Sequence, residues 1–380
     1  MNQAGDHFLT QEQIQMRDAA RRVTRDIIAP TAAERDRNAV WPRQELAAMS
    51  DLGFLGMLIP AEYGGTGSSL MDYCLVHQEW ASADAGLATI SHVHNVTARV
   101  LAAVASPEIK RKYLPAMARG ELIGASLITE PHAGSDTASL SMSARRDGDG
   151  YVLNGTKQFI SNGSEAGVGV VFAVTDKSQG KRGFTAFVVD PKREGYKVLR
   201  IENKMGQRTA HTAQIQFDNY RVTDDEVLGE VGRGYAMAMS SLSEGRIGIA
   251  AIATGVAKAA LDAAVVYAKE RQAYGAPIFN LQGVAFDLAD MTMRVELAEQ
   301  YWQYAARLCD AGKECARQAA IAKLCASENA ESVCSDALQI HGGYGYLNDF
   351  PVERYLRDVR VCKIYEGTSH IQKLIISRTL

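Results

Sequence analysis

The stretch Tyr151-Val152-Leu153-Asn154-Gly155-Thr156-Lys157-Gln158-Phe159-Ile160 decides the fold class. Asn154-Gly155 lies between two β-rich runs, the pattern that most strongly signals a hairpin. Further β-rich runs follow at 168–174 (VGVVFAV), 183–189 (GFTAFVV) and 212–222 (TAQIQFDNYRV), separated by Gly, Pro and Asp. Short strands at this spacing predict a small β-barrel or sandwich over residues 121–228.

Outward from this block the periodicity turns helical on both sides. Thr10 and Gln13 form a capping-box pattern, and Ile14, Val23 and Ile27 follow at helical spacing until Pro30. YGGTGSS (63–69) reads as a loop, residues 72–104 as helix, and Pro107 and Pro115 flank a shorter helical piece. Beyond 229 the chain holds long Ala-rich helical runs with short connections, which predict an antiparallel bundle. The expected protein is mainly α with a central β domain: an N-terminal helical domain (1–120), the β domain (121–228) and a C-terminal four-helix bundle (229–380).

Composition narrows the function. A net charge of −3 with dispersed basic residues leaves no footprint for nucleic acid. No run of 18 apolar residues suggests a membrane span. The polar start MNQAGDHFLTQEQ lacks leader character, so a soluble cytoplasmic protein is expected. The six cysteines show no metal spacing and read as reduced thiols, so no metal site is expected.

There is neither a G-x-x-x-x-G-K-[ST] loop nor a strand-bound G-x-G-x-x-G. Three Gly-punctuated stretches remain. SLITEPHAGSD (126–136) is either a plain loop or a backbone cradle for a ligand. KQFISNG (157–163) places Phe159 and Ser161 on one strand face, as core or as a cofactor platform. QIHGGYGY (339–346) is a helix C-cap that also permits close approach of a pyrophosphate. Arg271 closes a long helix, where its charge suits the dipole. Arg246 reads as opening that helix, against the dipole, which suggests an anionic contact. His92 and His94 lack metal spacing and read as packed, hydrogen-bonded histidines. KIYEGTSH (363–370) holds Glu366 between an aromatic ring and a glycine, either a solvated loop charge or a base in a dry pocket.

ITEPHAGSD, LNGTKQFISNG, GRIGIAA, ERQAYG, QIHGGYGYLNDFPVERYLRDVRV and IYEGTSHIQ, in this order over nearly the whole chain, resemble the acyl-CoA dehydrogenase family. The resemblance implies one FAD per subunit, a homotetramer, and α,β-desaturation of an acyl-CoA thioester. A base takes the α proton and the β hydrogen leaves as hydride to the flavin. It implies electron-transfer flavoprotein as the acceptor and bacterial β-oxidation of fatty acids as the setting.

The resemblance also implies roles. Glu366 is the base. In one subgroup the base lies immediately before the arginine of the GRIGIAA-like motif, and here that position is Gly245. Ser126, Leu127, Ile128, Thr129, Gly134 and Ser135 form a flavin segment, with Ser135 shared with substrate. Phe159 stands where tryptophan is usual against the flavin ring, Ile160 follows it, and Ser161 replaces a usual threonine. Arg271 and Gln282 contact FAD from a neighbouring subunit, and Gln339, Gly342 and Gly343 cradle its adenosine diphosphate. Thr368 and Ser369 face the cofactor, and Arg246 and Gly367 meet substrate. His132 and His370 depart from the family pattern. The helix around 84–98 carries no Arg or Lys, which argues against glutaryl-type substrates and for a short or medium, straight or branched acyl chain. An acyl-CoA oxidase or desulfinase-like lyase on the same fold, and a non-catalytic helical scaffold, are the competing readings.

Overall fold

The computed structural model describes residues 8–380, apart from the side chain of residue 241; residues 1–7, part of the polar start read above, lie outside the described residues. The N-terminal part holds α1 (Gln11–Val23), α2 (Ala29–Asn38), α3 (Arg43–Asp51), α4 (Leu70–Ala81), α5 (Ala85–Val104) and α6 (Pro107–Ala118). The Thr10–Gln13 capping box forms as expected. Pro30 does not end the first helix. A π-turn over Thr24–Ile28 carries the chain on into α2, and Pro30 sits in the first turn of α2. A proline costs little there, because first-turn N–H groups have no intrahelical partner.

The central part is one mixed sheet. Its strands are β1 (Gly124–Leu127), β2 (Ser143–Asp147), β3 (Gly150–Ser161), β4 (Val168–Val174), β5 (Phe184–Val189), β6 (Tyr196–Ile201), β7 (Thr212–Thr223) and β8 (Val227–Leu228). The order is β6-β7-β3-β2-β4-β5-β8, with β1 beside β4. A single pair, Ser143 with Val174, joins β2 to β4. The sheet therefore behaves as two halves facing each other. Leu153, Ile215 and Phe217 of one half pack with Val171, Phe187 and Val189 of the other.

The expected hairpin at Asn154-Gly155 is a correction. β3 runs straight through it, and the turn lies six residues earlier, at 148–149, where Asp147 pairs with Gly150 and Gly148 takes φ +62°. Asn154 instead holds a bulge in β7. Its Oδ1 accepts from the Asn219 N–H at 2.8 Å, and Asn219 has φ +51°. Gly155 is glycine because a Cβ there would lie 2.8 Å from Met142 Cγ. A second bulge falls between Lys157 and Ile160, and there Phe159 takes φ +58°.

The C-terminal part has three long helices, α7 (Gly234–Glu270), α8 (Gln282–Asp310) and α9 (Ala316–His341), followed by the short α10 (Val352–Val359) and α11 (Ser369–Ser377). The short pair packs on α9 beside the three long helices of the expected bundle. α7 is long and apolar enough to cross a membrane by length and composition, but 67% of its apolar window is buried in protein. It is the core helix. Trp80 of α4, Ile252 of α7 and Trp302 of α8 share one hydrophobic cluster. Cys309 and Cys315, expected as free thiols, are joined by a disulfide across the α8–α9 turn. Their spacing carries no signal by itself; the helix ends bring them together.

Candidate active site

Glu366 lies in the segment between α10 and α11. Thr368 caps α11, its Oγ1 accepting from the Ile371 N–H at 3.3 Å. Glu366 (φ +52°) and Gly367 (φ +89°) are both left-handed. A glutamate there carries backbone strain of about 1–2 kcal/mol, so its surroundings must hold it. The carboxylate packs on the bare backbone of α7: a Cβ on Gly245 would lie 2.9 Å from Glu366 Oε2. The two base positions considered from sequence thus compete for one space, and the glycine leaves it to Glu366.

Burial raises the Glu366 carboxyl above its ordinary pKa, and Arg246 and then Lys323 pull it back in part. Arg246 is corrected in one respect. It lies well inside α7, not at its start, so the argument from the helix dipole fails. It is buried, its Nε has no hydrogen-bond partner, and its nearest charge influence is Glu366.

Sequence reasoning missed several supports. Lys323 of α9 is fully buried and donates to the Gly367 carbonyl at 2.7 Å. Gln372 Nε2 donates to the same carbonyl at 2.8 Å and to that of Glu366 at 3.2 Å. Tyr365 Oη accepts from Gln207 Nε2 at 3.2 Å, and the Gln207 N–H donates to Asp358 at 2.5 Å. Gln207 itself has φ +47°. An isolated lysine in the apolar run AAIAKLCA was the one signal that could have been noticed.

The second group of predicted residues lies along β1 and β3. Leu127 and Ile160 are core residues, so only their backbones face outward groups. Ser126 contacts Thr97, Oγ to Oγ1, at 3.3 Å. Ile128 and Thr129 run beside β3: the Ile128 carbonyl accepts from Lys157 Nζ at 2.9 Å and the Thr129 carbonyl from the Gln158 N–H at 2.8 Å. Glu130 and Lys157, also missed, form a buried ion pair at 2.9 Å that pins this loop. Gly134 and Ser135 are exposed. Phe159 is 64% exposed on the bulge, and Ser161, two residues on, is half-buried. The plain alternation behind the expected shared face is interrupted here, because the bulge between Lys157 and Ile160 puts Phe159 on a left-handed backbone. A large aromatic held out at a strained position is a platform in want of a partner.

A third group lies elsewhere. Arg271, Gly342 and Gly343 line an open cleft with Tyr267, His341 and Tyr344. Gln339 on the last turn of α9 and Gln282, first residue of α8, are exposed. No heavy atom lies within 4 Å of a Cβ placed on Gly342 or Gly343, so a ligand could approach both backbones. Arg271 and Arg246 are 25 residues apart on one helical path, or about 37 Å at 1.5 Å per residue.

Ser369 Oγ donates to Glu328 at 2.6 Å. His94 uses both nitrogens, with the Leu55 carbonyl and the Gly124 N–H. His92 pairs its Nδ1 with Tyr73 Oη at 2.8 Å, while its Nε2 has no partner. His132 is exposed and meets the Ser139 carbonyl at 3.1 Å; His370 is exposed. No metal cluster occurs among the described residues.

The chain, with its half-buried Glu366 carboxylate, exposed Phe159 ring and central β domain between helices, belongs to the acyl-CoA dehydrogenase family. The family's N-terminal, middle and C-terminal domain models match residues 10–121, 125–220 and 232–380. The protein is therefore an enzyme, an oxidoreductase of a family of FAD-dependent flavoproteins. Among known proteins it is 42% identical to an acyl-CoA dehydrogenase of Bacillus subtilis (strain 168), over 98% of both chains. It superposes on the three-dimensional structure of butyryl-CoA dehydrogenase from Megasphaera elsdenii with a TM-score of 0.95 and 37% identity, over 98% of each chain. It also superposes on a chain in a structure reported for the electron transferring flavoprotein of Acidaminococcus fermentans, with a TM-score of 0.96 and 40% identity over 98% of each.

Proposed function

We propose that the protein dehydrogenates a short or medium, straight or branched acyl-CoA to the trans-2-enoyl-CoA, with Glu366 as the α-proton base and electron-transfer flavoprotein as the electron acceptor. The observation that carries this reading is the Glu366 carboxylate, packed on Gly245 with its proton affinity raised by burial. A carboxylate in that state is a stronger base than one in water, and a pKa nearer neutrality suits proton abstraction at working pH. Arg246 and Lys323 keep enough positive charge nearby for the anion to persist.

The residues present fit FAD. Phe159 offers an exposed ring, Ser161 a hydroxyl two residues on, and Gly134 an open backbone, and the Lys157–Glu130 pair ties β3 to the loop after β1. FAD, when bound, accepts the hydride equivalent lost from the β carbon. Ser126, Leu127, Ile128, Thr129, Ser135 and Ile160 border the flavin, the last mainly through backbone. Thr368 and Ser369 close the segment behind the base. Gly367 and Arg246 flank the thioester.

The distance of about 37 Å between Arg246 and Arg271 supports a split site. Arg271, Gln282, Gln339, Gly342 and Gly343 serve the adenosine end of a cofactor bound by another copy. Exposed Phe286, Met293 and Leu297, at i, i+7 and i+11 on α8, offer an apolar stripe for that copy. A cytoplasmic homotetramer follows from this reading, with domain breaks near 121 and 229. Lack of an Arg or Lys over residues 84–98 argues against a dicarboxylyl substrate. Similarity to the butyryl-CoA enzyme supports a short acyl chain.

The test is Glu366→Gln, examined with an anaerobic panel of acyl-CoAs by flavin bleaching. FAD and acyl-CoA should stay bound while bleaching slows by ~10²–10⁴-fold. Bleaching at the wild-type rate would remove Glu366 from the role. Rapid reoxidation of the reduced wild-type enzyme by oxygen would favour the oxidase reading instead.

A further inference from the structure

Two buried lysines of this chain have opposite surroundings. Lys157 is fully buried and paired with Glu130 at 2.9 Å. Lys323 is equally buried, yet no carboxylate lies within ion-pair distance of it among the described residues. Glu328, the acidic neighbour one turn along α9, is engaged by Lys363 at 2.5 Å and by Ser369 at 2.6 Å. A buried ammonium without a counter-ion is costly, and folds rarely keep one. Its hydrogen bond to the Gly367 carbonyl at 2.7 Å is the contact it retains.

That carbonyl belongs to the residue after Glu366, in a turn where both residues are left-handed. Gln372 of α11 donates to the same oxygen at 2.8 Å. Gln372 is fully buried, and its own Oε1 has no partner. The two donors hold one peptide plane between α9 and α11. Gln372 Nε2 also reaches the Glu366 carbonyl at 3.2 Å, so both peptide planes of the turn are held, and a shift of the turn would move the Cα from which the Glu366 carboxylate reaches Gly245.

We infer that Lys323 and Gln372 are positioning residues for Glu366: together they clamp the Gly367 carbonyl so that the strained turn aims the carboxylate, and Lys323 places a second positive charge, after Arg246, near it. The assignment rests on Glu366 being the base. The charged and titratable groups facing Glu366 are Arg246 from α7, Lys323 from α9 and Tyr73 from α4. Of the two cations, only Lys323 also touches the turn. Burial lowers the Lys323 pKa to about 8, so it remains charged at neutral pH and the field acts there.

Three variants separate clamp from charge in the FAD-loaded enzyme. Lys323→Gln keeps an N–H donor and removes the charge. Gln372→Leu removes one donor and keeps the charge. Lys323→Arg keeps both functions. The Glu366 carboxyl is titrated directly by isotope-edited infrared difference spectroscopy, with Glu366→Gln as the blank, beside the pH profile of kcat/KM for the best acyl-CoA. In Lys323→Gln the carboxyl should titrate at higher pH, and the acid limb of kcat/KM, which rises as the base deprotonates, should move up with it. In Gln372→Leu the limb should stay while kcat falls by roughly ten- to a hundredfold, the cost of a misaimed group, with KM little changed. Lys323→Arg should restore the wild-type titration. A folded Lys323→Gln protein with an unmoved Glu366 titration would overturn the electrostatic role, and unchanged kcat in Gln372→Leu would overturn the clamp. If no acyl-CoA bleaches the wild-type flavin, the proposed reaction fails, while the infrared titration still decides whether Lys323 governs Glu366.

Discussion

Gly245→Ala should raise stability and lower activity at once. The position lies inside α7, where alanine is favoured over glycine by about 1 kcal/mol. The added methyl carbon would stand 2.9 Å from Glu366 Oε2 and 3.3 Å from Cδ. Comfortable contact needs about 3.5 Å, so the carboxylate must retreat by roughly half an ångström. It cannot swing freely, since Lys323 and Gln372 hold the turn behind it. Misplacement on the scale of an ångström costs up to ~10²-fold in rate, so about half of that displacement should cost on the order of tenfold. The methyl also takes solvent from the carboxylate, which adds to the burial that already raises its pKa. The assay is stopped-flow flavin bleaching across pH with a saturating acyl-CoA, beside thermal unfolding. The expected result is a Tm equal to or above wild type, bleaching slowed about tenfold, and an acid limb shifted to higher pH. Wild-type bleaching at wild-type pH dependence would refute the claim that the carboxylate and a side chain at 245 compete for one space.

Phe159→Ala removes the exposed platform while leaving the bulge. It should weaken FAD retention on dialysis, read by flavin absorbance per protein, with little change in Tm because the ring buries little; full retention would show that the ring does not carry the flavin. Lys157→Met leaves Glu130 buried and unpaired and should cost about 3–5 kcal/mol in chemical unfolding; a loss under 1 kcal/mol would mean the pair does not pin the loop. His77, His92 and His94 have folded pKa values lowered by burial to about 3, 4 and 4. Their unfolded forms bind protons first as pH falls below the ordinary 6.5, so stability should decline from pH 6.5 downward, by up to about 1.4 kcal/mol per pH unit for each histidine. A Tm that is flat between pH 6.5 and 5 would contradict the neutral, buried state of all three.

The order of helical and β-rich blocks was readable because periodicity is a local property of the chain. Glu366 was singled out by the likeness of IYEGTSHIQ to the family pattern, because its sequence neighbours alone suit a solvated loop charge as well as a base in a dry pocket. Asn154-Gly155 was misread because the same dipeptide suits a turn and a close crossing; only the distance from Gly155 to Met142, thirteen residues away, tells them apart. Arg246 was misplaced because the Gly-rich text around it resembles a helix start, whereas the packing of α7 carries the helix through those glycines. Gln207 and the Glu130–Lys157 pair were invisible for another reason, and Lys323 showed only as an odd lysine in an apolar run. Each acts on a residue tens or hundreds of positions away, and the local sequence does not name that partner. Phe159 shows the mixed case. Its identity and spacing could be read, but the bulge that turns it outward comes from a register shift against β7.

The length of α7 has one more consequence. If Glu366 serves one cofactor and Arg271 another, damage at the two ends of this helix belongs to different active sites. Subunits bearing Glu366→Gln and subunits bearing Arg271→Ala, each impaired alone, would form upon mixing a pair with one doubly damaged site and one wholly intact. The enzyme's unit of inheritance for a working site would then be the interface between two chains, and a defect in one chain could be masked by its neighbour.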